Sequence, residues 1–131
     1  MAGIVDLDEL LKSMTPEIQQ GEYVFCTVKD HYDYEDLQPL AFFREAEGIT
    51  LVISLQEAEK ANLAFTSIFK QITLTVHSSL DAVGLTAAVA TKLATHGISA
   101  NVVAAYYHDH LFVQSSKVDQ ALSALNEFST V

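Results

Sequence analysis

The stretch from Asp81 to Val113 limits what this chain can fold into more than any other. Gly84 precedes a run in which Leu85, Val89 and Leu93 recur every four residues. That spacing predicts an amphipathic helix, and Gly97 follows where a C-terminal cap is expected. Residues 99–107 then predict a strand, His108-Asp109 a turn, and residues 110–114 a return strand. The stretch therefore predicts a helix docked on a β-hairpin.

The rest of the chain shows further strand and helix patterns. Period-two and β-branched segments predict strands, and apolar residues at helical spacing behind capping residues predict helices. An acidic segment closed by Pro39 predicts a surface loop. In chain order we expect a helix at 6–14, a strand at 23–28, a loop at 29–39, strands at 40–44 and 50–54, a helix at 55–61, a strand at 69–77 and a final helix that Ser116 and Asp119 open with a capping box.

The two halves of the chain echo one another. Residues 51–54 before a helix match residues 111–114 before the last helix, and Thr27-Val28 matches Thr75-Val76. The echo indicates two βαββα units, the first with its crossover helix replaced by the loop 29–39. We therefore predict an α+β fold of two ferredoxin-like units, each an antiparallel sheet with helices on one face. The predicted division is an N-terminal unit with a leading helix at 1–69 and a C-terminal unit at 70–131.

Composition limits the classes of partner that the protein is expected to bind. With 17 acidic and 7 basic side chains, the formal charge is −10, which disfavours nucleic acid and anionic membrane surfaces. No apolar run approaches the roughly 20 residues that span a bilayer, and acidic residues near the N-terminus are unlike a signal peptide. We expect a cytoplasmic protein without a cofactor. Cys26 lies in an apolar segment without a cationic neighbour, which indicates a buried filler rather than a reactive thiol.

The loop at residues 81–86 is the best candidate site. Gly84 lets the backbone approach a ligand, and the N–H groups of Leu85 and Thr86 at a helix start favour a carboxylate or phosphate. Asp81 is placed to cap the helix or to meet a ligand ammonium. One glycine before a helix also fits a loop that simply needs a positive φ, so the pattern alone leaves both interpretations open.

Residues 83–90 (Val-Gly-Leu-Thr-Ala-Ala-Val-Ala), Gly97-Ile-Ser-Ala-Asn-Val-Val, a tyrosine pair and a hairpin together resemble the ACT domain, the regulatory module of amino-acid metabolism. The pattern is most similar to tandem, aspartokinase-type ACT proteins, and among these to a small stand-alone bacterial group. The resemblance covers residues 70–128 well, and residues 1–69 through strand order alone. Val83 stands where many ACT domains have proline. A valine at this position is common in the aspartokinase-like branch.

The resemblance implies an effector, an amino acid or related metabolite, bound across an interface of two ACT units. The main-chain N–H groups that hold its carboxylate correspond to Gly84, Leu85 and Thr86. The start of the strand that contacts the amino group of the effector corresponds to Ser99, Ala100 and Asn101. Asn101 stands where the family often has a carboxylate. The resemblance also implies a homodimer and a non-catalytic, allosteric role.

Other interpretations compete with effector binding. Because Asn101 lacks the expected charge, the domain could instead be a dimerisation or protein-docking scaffold with a vacant pocket. His108 and His110 share one face of a strand, which suggests a metal site, but a polar hairpin tip with Asp109 at the turn is the simpler interpretation. The aromatic and acidic loop 29–39 is either a ligand lid or a solvated loop. No nucleophile stands beside a base, and no carboxylate pair has an apolar pocket, so nothing predicts an enzyme.

Overall fold

A computed structural model of the chain describes residues 6–76 and 83–130. Its contacts divide into two compact units. We call Met1–Gln20 with Lys70–Val131 the larger unit, and Gly21–Phe69 the smaller unit. The first twenty residues thus group with the second half of the chain, whereas the division predicted from the sequence echo lies after residue 69. The boundary after residue 69 between two related sequence units stays a prediction.

The larger unit is a sheet with helices. Strands β1 (Pro16–Ile18) and β7 (Asp109–Gln114) both neighbour β5 (Phe69–Leu74), and β6 (Asn101–Ala104) lies beside β7. The β1–β5 and β6–β7 pairs are antiparallel. Its elements are α1 (Leu7–Ser13), β1 (Pro16–Ile18), β5 (Phe69–Leu74), α3 (Leu85–Thr95), β6 (Asn101–Ala104), β7 (Asp109–Gln114) and α4 (Val118–Asn126), with 3-10 turns at Ser115–Lys117 and Glu127–Thr130.

One apolar core joins the elements of the larger unit. Alternate residues of β5 and β7 face this core, and each helix presents an apolar stripe to it. The predicted stripe of α3 is fully buried at Leu85, Val89 and Leu93. The other core members include Leu10, Met14, Ile72, Leu74, Ile98, Leu111, Val113, Ala121 and Leu125. Leu10 and Met14 bring α1 into this core, which explains why the leading helix groups with the second half of the chain.

The smaller unit is a three-stranded antiparallel sheet with one α-helix. Its strands are β2 (Tyr23–Val28), β3 (Ala41–Glu45) and β4 (Gly48–Ser54), in the order β3, β4, β2, and α2 (Leu55–Lys60) follows β4 directly. The Ser54 hydroxyl caps α2 by accepting from the Glu57 N–H at 3.2 Å. Residues such as Val24, Ile53 and Ala58 form the core. The segment expected as a loop holds only a 3-10 helix, His31–Tyr34, so this unit lacks the first crossover helix, as predicted.

Three local expectations were wrong. The hairpin turns at Tyr106-Tyr107, because the Ala105 N–H donates to the His108 carbonyl at 3.1 Å and Ala104 pairs with Asp109. Asp109 therefore opens β7 and is buried, rather than standing at the turn tip. The expected capping box before α4 is absent, since a 3-10 turn over Ser115–Lys117 moves the helix start to Val118. Strand β1 was not expected, because three residues are too few to show a period.

Candidate functional site

The glycine loop opens α3 as the sequence predicted. Gly84 occupies the N-cap with φ +98°, a conformation that favours glycine. Glycine has no side chain to cap the helix, so the N–H groups of Leu85 and Thr86 have no side-chain acceptor at the N-cap position. The Leu85 side chain is buried and Thr86 is exposed. The first turn can therefore present backbone donors and a partial positive charge to a carboxylate.

A residue that sequence reasoning missed lies against this loop. A Cβ atom placed on Gly84 would be 3.0 Å from Leu7 Cδ2 and 3.7 Å from Leu7 Cδ1. Gly84 is thus required twice, by its positive φ and by the close approach of α1. Apolar residues at helical spacing predicted a helix at 6–14, but periodicity cannot say what its apolar face packs on.

The second half of the predicted site follows α3. Gly97, with φ +72°, ends the helix in a Schellman motif: Ile98 N–H donates to the Leu93 carbonyl at 3.0 Å, and Gly97 N–H donates to the Ala94 carbonyl at 2.9 Å. Lys117 Nζ donates to the Gly97 carbonyl at 2.9 Å. The chain then continues into Ser99, which is exposed, and Ala100, which packs on the core.

Asn101 begins β6 with an exposed side chain that is already engaged. Its Nδ2 donates to the Phe112 carbonyl on β7 at 3.1 Å, which fixes the orientation of the carboxamide. The Oδ1 atom is then the part of this side chain that can accept a hydrogen bond from a ligand ammonium.

Within the larger unit, α3 separates the two halves of the predicted site. Gly84 immediately precedes an 11-residue helix and Ser99 follows its end, so the length of the helix, about 16 Å, lies between the two stretches. The structure does not bring them together inside this unit. The remaining predicted residue, Asp81, lies outside the described residues.

In the His108-Asp109-His110 segment, the His110 side chain bonds to the neighbouring strand β5. His110 Nδ1 is 3.0 Å from Gln71 Nε2 and 3.0 Å from Thr73 Oγ1 on β5. An amide nitrogen can only donate, so Nδ1 must be an unprotonated acceptor. Burial, and then the charge of His108, lower the pKa of His110, against an opposing effect of Asp109. Among the described residues, no group of three or more His, Cys, Asp and Glu side chains is placed to hold a metal ion.

The other candidates have structural explanations. Cys26 is buried in β2, and burial raises the pKa of its thiol, so it stays protonated. In the segment 29–39, the Asp30 and Asp33 carboxylates form a capping box around the 3-10 helix. A surface depression of about 430 Å³ is lined by Asp6, Asp8, Glu9, Lys12 and Ser13. All of these are exposed residues of α1 or its N-cap, so the depression lies on the solvent side of that helix.

No helix in residues 6–76 or 83–130 has both the length and the apolar character needed to cross a bilayer.

The chain matches two models of the ACT domain, one over residues 2–70 and one over residues 67–127. The search of curated proteins found no match. A Vibrio cholerae protein of unknown function, VC0802, described as a possible transport protein, has a solved structure with a TM-score of 0.88 at 59% identity, covering 95% of this chain and 96% of that chain.

More distant solved structures share the fold alone. The regulatory subunit of aspartate kinase from Thermus flavus has a TM-score of 0.68 at 6% identity, covering 87% of this chain and 96% of its own. A protein from Agrobacterium tumefaciens has a TM-score of 0.71 at 16% identity, covering 88% and 89%. These matches confirm the α+β fold of two ferredoxin-like units and the aspartokinase-type resemblance. The chain belongs to the ACT domain family, with two ACT domains in tandem.

Proposed function

We propose that this protein is a non-catalytic regulatory module that binds an amino acid or a closely related metabolite. The observation that carries the proposal is the first turn of α3, whose N-cap residue, Gly84, gives it no side-chain cap, in a chain of two ACT domains. Backbone N–H groups at a helix start hold a carboxylate without a basic side chain. This suits an acidic protein whose charge of −10 would otherwise repel an anion. A cytoplasmic location remains part of this proposal.

The proposed pocket combines two stretches from different copies of the chain. The N–H groups of Gly84, Leu85 and Thr86 would hold the effector carboxylate, with Asp81 nearby in sequence. The amino group of the effector would contact Ser99, Ala100 and Asn101. Because the length of α3, about 16 Å, lies between these stretches in one unit, we propose that an ACT unit of a second copy completes the pocket in a homodimer.

A thermal-shift screen of the free amino acids tests effector binding. A ligand at 100 times its Kd should stabilise the folded protein by roughly 2.7 kcal/mol. Gly84→Ala should lose this shift. Gly97→Ala is the matched control, because Gly97 also has a positive φ but a Cβ there meets nothing within 4 Å. A complete screen without a shift, or a shift that Gly84→Ala leaves unchanged, would refute the proposal.

The contact between Leu7 and Gly84 favours one second candidate, a scaffold whose ACT pocket is vacant. Leu7 occupies space beside the glycine, and Asn101 lacks the charge of a carboxylate. A scaffold would keep its partner when the loop is altered by Gly84→Ala. Mass spectrometry of small molecules released from the purified protein separates the two candidates, since an amino acid released in stoichiometric amount excludes a vacant pocket.

A further inference from the structure

The exposed apolar side chains of the larger unit come from two short stretches of the chain. Among the described residues of this unit, the large hydrophobic side chains that are exposed belong to Val83, Tyr106 and Tyr107. Val83 is 83% exposed, Tyr106 is 68% exposed and Tyr107 is 65% exposed. The two tyrosines lie in the turn between β6 and β7, and Val83 directly precedes the N-cap of α3. Because tyrosine is enriched where proteins bind one another, this part of the unit is a candidate contact surface.

The two stretches lie at the same end of the larger unit. Helix α3 is about 16 Å long, and a short connection after Gly97 leads back into β6. Val89 of α3 and Val102 of β6 belong to the same apolar core, so the strand returns alongside the helix. Residues 100–105, when extended, span about 17 Å, and this distance brings the β6–β7 turn back to the level at which α3 begins. Val83 and the two tyrosines therefore lie at one end of the unit.

The β6–β7 turn holds the two tyrosines in a defined arrangement. The Ala105 N–H donates to the His108 carbonyl at 3.1 Å, and antiparallel pairing of β6 with β7 closes the turn. The ring centroids of Tyr106 and Tyr107 lie 5.0 Å apart with an interplanar angle of 75°, which is an edge-to-face contact. A tyrosine side chain has two rotatable bonds, so ordering it costs little conformational entropy. The turn is therefore a pre-formed contact surface.

The distribution of charge favours a cationic partner at this turn. Between Lys92 and Lys117 the sequence contains no lysine or arginine. Lys92 lies in the last turn of α3 with its Nζ 2.7 Å from Glu127 Oε1, and Lys117 Nζ donates to the Gly97 carbonyl at 2.9 Å. Both cations are therefore at the opposite end of α3 from the β6–β7 turn. In a chain of charge −10, a turn without a lysine or arginine of its own attracts a cationic partner and repels an acidic one.

Arginine is the cation that suits two exposed tyrosine rings best. Its guanidinium is planar and more weakly hydrated than the ammonium of lysine, so it stacks on an aromatic face at a smaller desolvation cost. An aliphatic side chain beside that arginine would remove the apolar surface of Val83 from water. A second copy of the chain fits poorly, because its formal charge is also −10 and its one arginine, Arg44, already lies 6.0 Å from the Phe42 ring centroid. The partner that fits is therefore a different, cationic protein.

We propose that Val83 and the Tyr106-Tyr107 turn form a docking surface for a partner protein that presents an arginine beside an aliphatic side chain. The guanidinium packs on the tyrosine rings, and the aliphatic side chain packs on Val83. The proposal rests on the regulatory role given above, because such a module acts through a partner, but it does not require effector binding. Since α3 begins at the same end of the unit, an amino acid held by the N–H groups of residues 84–86 lies beside the docked segment.

Titration with a short peptide of arginine, leucine and serine tests the surface directly. Amide ¹H–¹⁵N resonances of residues 105–108 should shift saturably, and a matched peptide with neutral citrulline in place of arginine should bind about tenfold more weakly. Tyr106→Ser/Tyr107→Ser should weaken binding of the arginine peptide by a similar factor with an unchanged circular dichroism spectrum. Because this double variant keeps the charge of the protein, a loss cannot come from general attraction between the acidic chain and a basic peptide.

Tyr32→Ser is the matched control for the tyrosine surface. Tyr32 is 69% exposed and stands between Asp30 and Asp33 in the smaller unit, so it offers an exposed tyrosine among more acidic neighbours. Tyr32→Ser should bind the arginine peptide with wild-type affinity. Equal binding of the citrulline peptide, no saturable shift at residues 105–108, or an equal loss in Tyr32→Ser would overturn the proposal.

Selection from a random peptide library displayed on phage tests the chemistry of the partner without assuming a sequence. Peptides that bind the wild-type protein should be enriched in arginine next to leucine, isoleucine or valine, and Tyr106→Ser/Tyr107→Ser should retain few of them. Selected peptides without basic residues, or the same peptides on both proteins, would contradict the proposal.

The oligomeric state separates a partner protein from a second copy as the occupant. Light scattering after size exclusion should give the same mass for the wild type and for Tyr106→Ser/Tyr107→Ser. A wild-type dimer that the double variant converts to a monomer would show that the turn binds a second copy, and would overturn the proposal. No amino acid is added in any of these experiments, so the proposed effector site can fail the thermal-shift screen without changing their outcome.

Discussion

Leu7 and Gly84 lie in contact, close enough that a Cβ on the glycine would be 3.0 Å from Leu7 Cδ2. The contact joins the first turn of α1 to the N-terminus of α3. It places an apolar side chain beside the backbone donors that we assign to the effector carboxylate. Leu7 is therefore either one wall of the effector pocket or, in the scaffold alternative, the group that fills it.

The two glycines that flank α3 should differ in their tolerance of a side chain. Gly84→Ala and Gly97→Ala both place a Cβ at a positive φ, which costs about 1 kcal/mol. At Gly84 the Cβ also crowds Leu7, which should add about 1–3 kcal/mol. Chemical denaturation of the two variants measures the difference.

Leu7→Ala provides the internal control for this comparison. Removing the Leu7 side chain should relieve the crowding, so the double variant Leu7→Ala/Gly84→Ala should be more stable than the sum of the two single losses predicts. Strict additivity would show that the contact does not constrain residue 84.

The hydrogen bonds of His110 predict a loss of stability in acid. Its pKa is lowered in the folded protein by burial and by His108, so the unfolded chain binds the proton more readily. The stability that the neutral His110 ring contributes is fully present above its unfolded-state pKa of about 6.5, and it is lost as the pH falls below that value. Gln71 and Thr73 face the ring and carry no charge, and the charge of Asp109 offsets only part of the lowering of the pKa.

Urea denaturation between pH 7.5 and pH 5 measures this effect. His110→Gln should flatten the pH dependence of the unfolding free energy. His31→Gln, in the exposed 3-10 helix of the smaller unit, should leave it close to wild type. A His110→Gln variant with the wild-type slope would show that other groups cause the acid loss.

The packing of α1 predicts that the second half of the chain depends on the first residues. Leu10 has no exposed surface and lies in the core with Leu93 and Leu125. Leu10→Ala should lower the unfolding free energy by about 2–5 kcal/mol. Leu40→Ala, at an exposed leucine in the smaller unit, should change it by less than about 1 kcal/mol. Equal losses would mean that α1 does not stabilise the larger unit.

Asn101 allows a test of the proposed amino-group contact. Asn101→Asp would lose the Nδ2 donor to the Phe112 carbonyl, but it would place a carboxylate at the start of β6. A charge-assisted hydrogen bond to an ammonium is stronger than a neutral one. Affinity for the amino acid that gives the largest thermal shift should rise about tenfold, which corresponds to about 1.4 kcal/mol. Asn101→Leu should weaken it. Unchanged affinity in both variants, measured by calorimetry, would remove Asn101 from the site.

The sequence predicted well those parts of the fold that have a strong local signal. Strand β2 matches its expected bounds at Tyr23–Val28, and Asp6 caps α1 by accepting from the Glu9 N–H at 2.9 Å. Features that depend on distant contacts could not be predicted. Strand β1 exists because Pro16–Ile18 meets β5, and the hairpin tip moved by two residues because Asp109 is buried. The Leu7–Gly84 contact joins residues 77 positions apart, which no periodicity can reveal.

The central claim is that the backbone donors at the start of α3 hold an amino-acid effector. The most direct measurement is the change in amide ¹H–¹⁵N resonances when the amino acid with the largest thermal shift is added. We predict large shifts at Gly84, Leu85 and Thr86, with smaller shifts at Ser99 and Asn101. Saturable binding that leaves the amides of residues 84–86 unmoved would contradict the account.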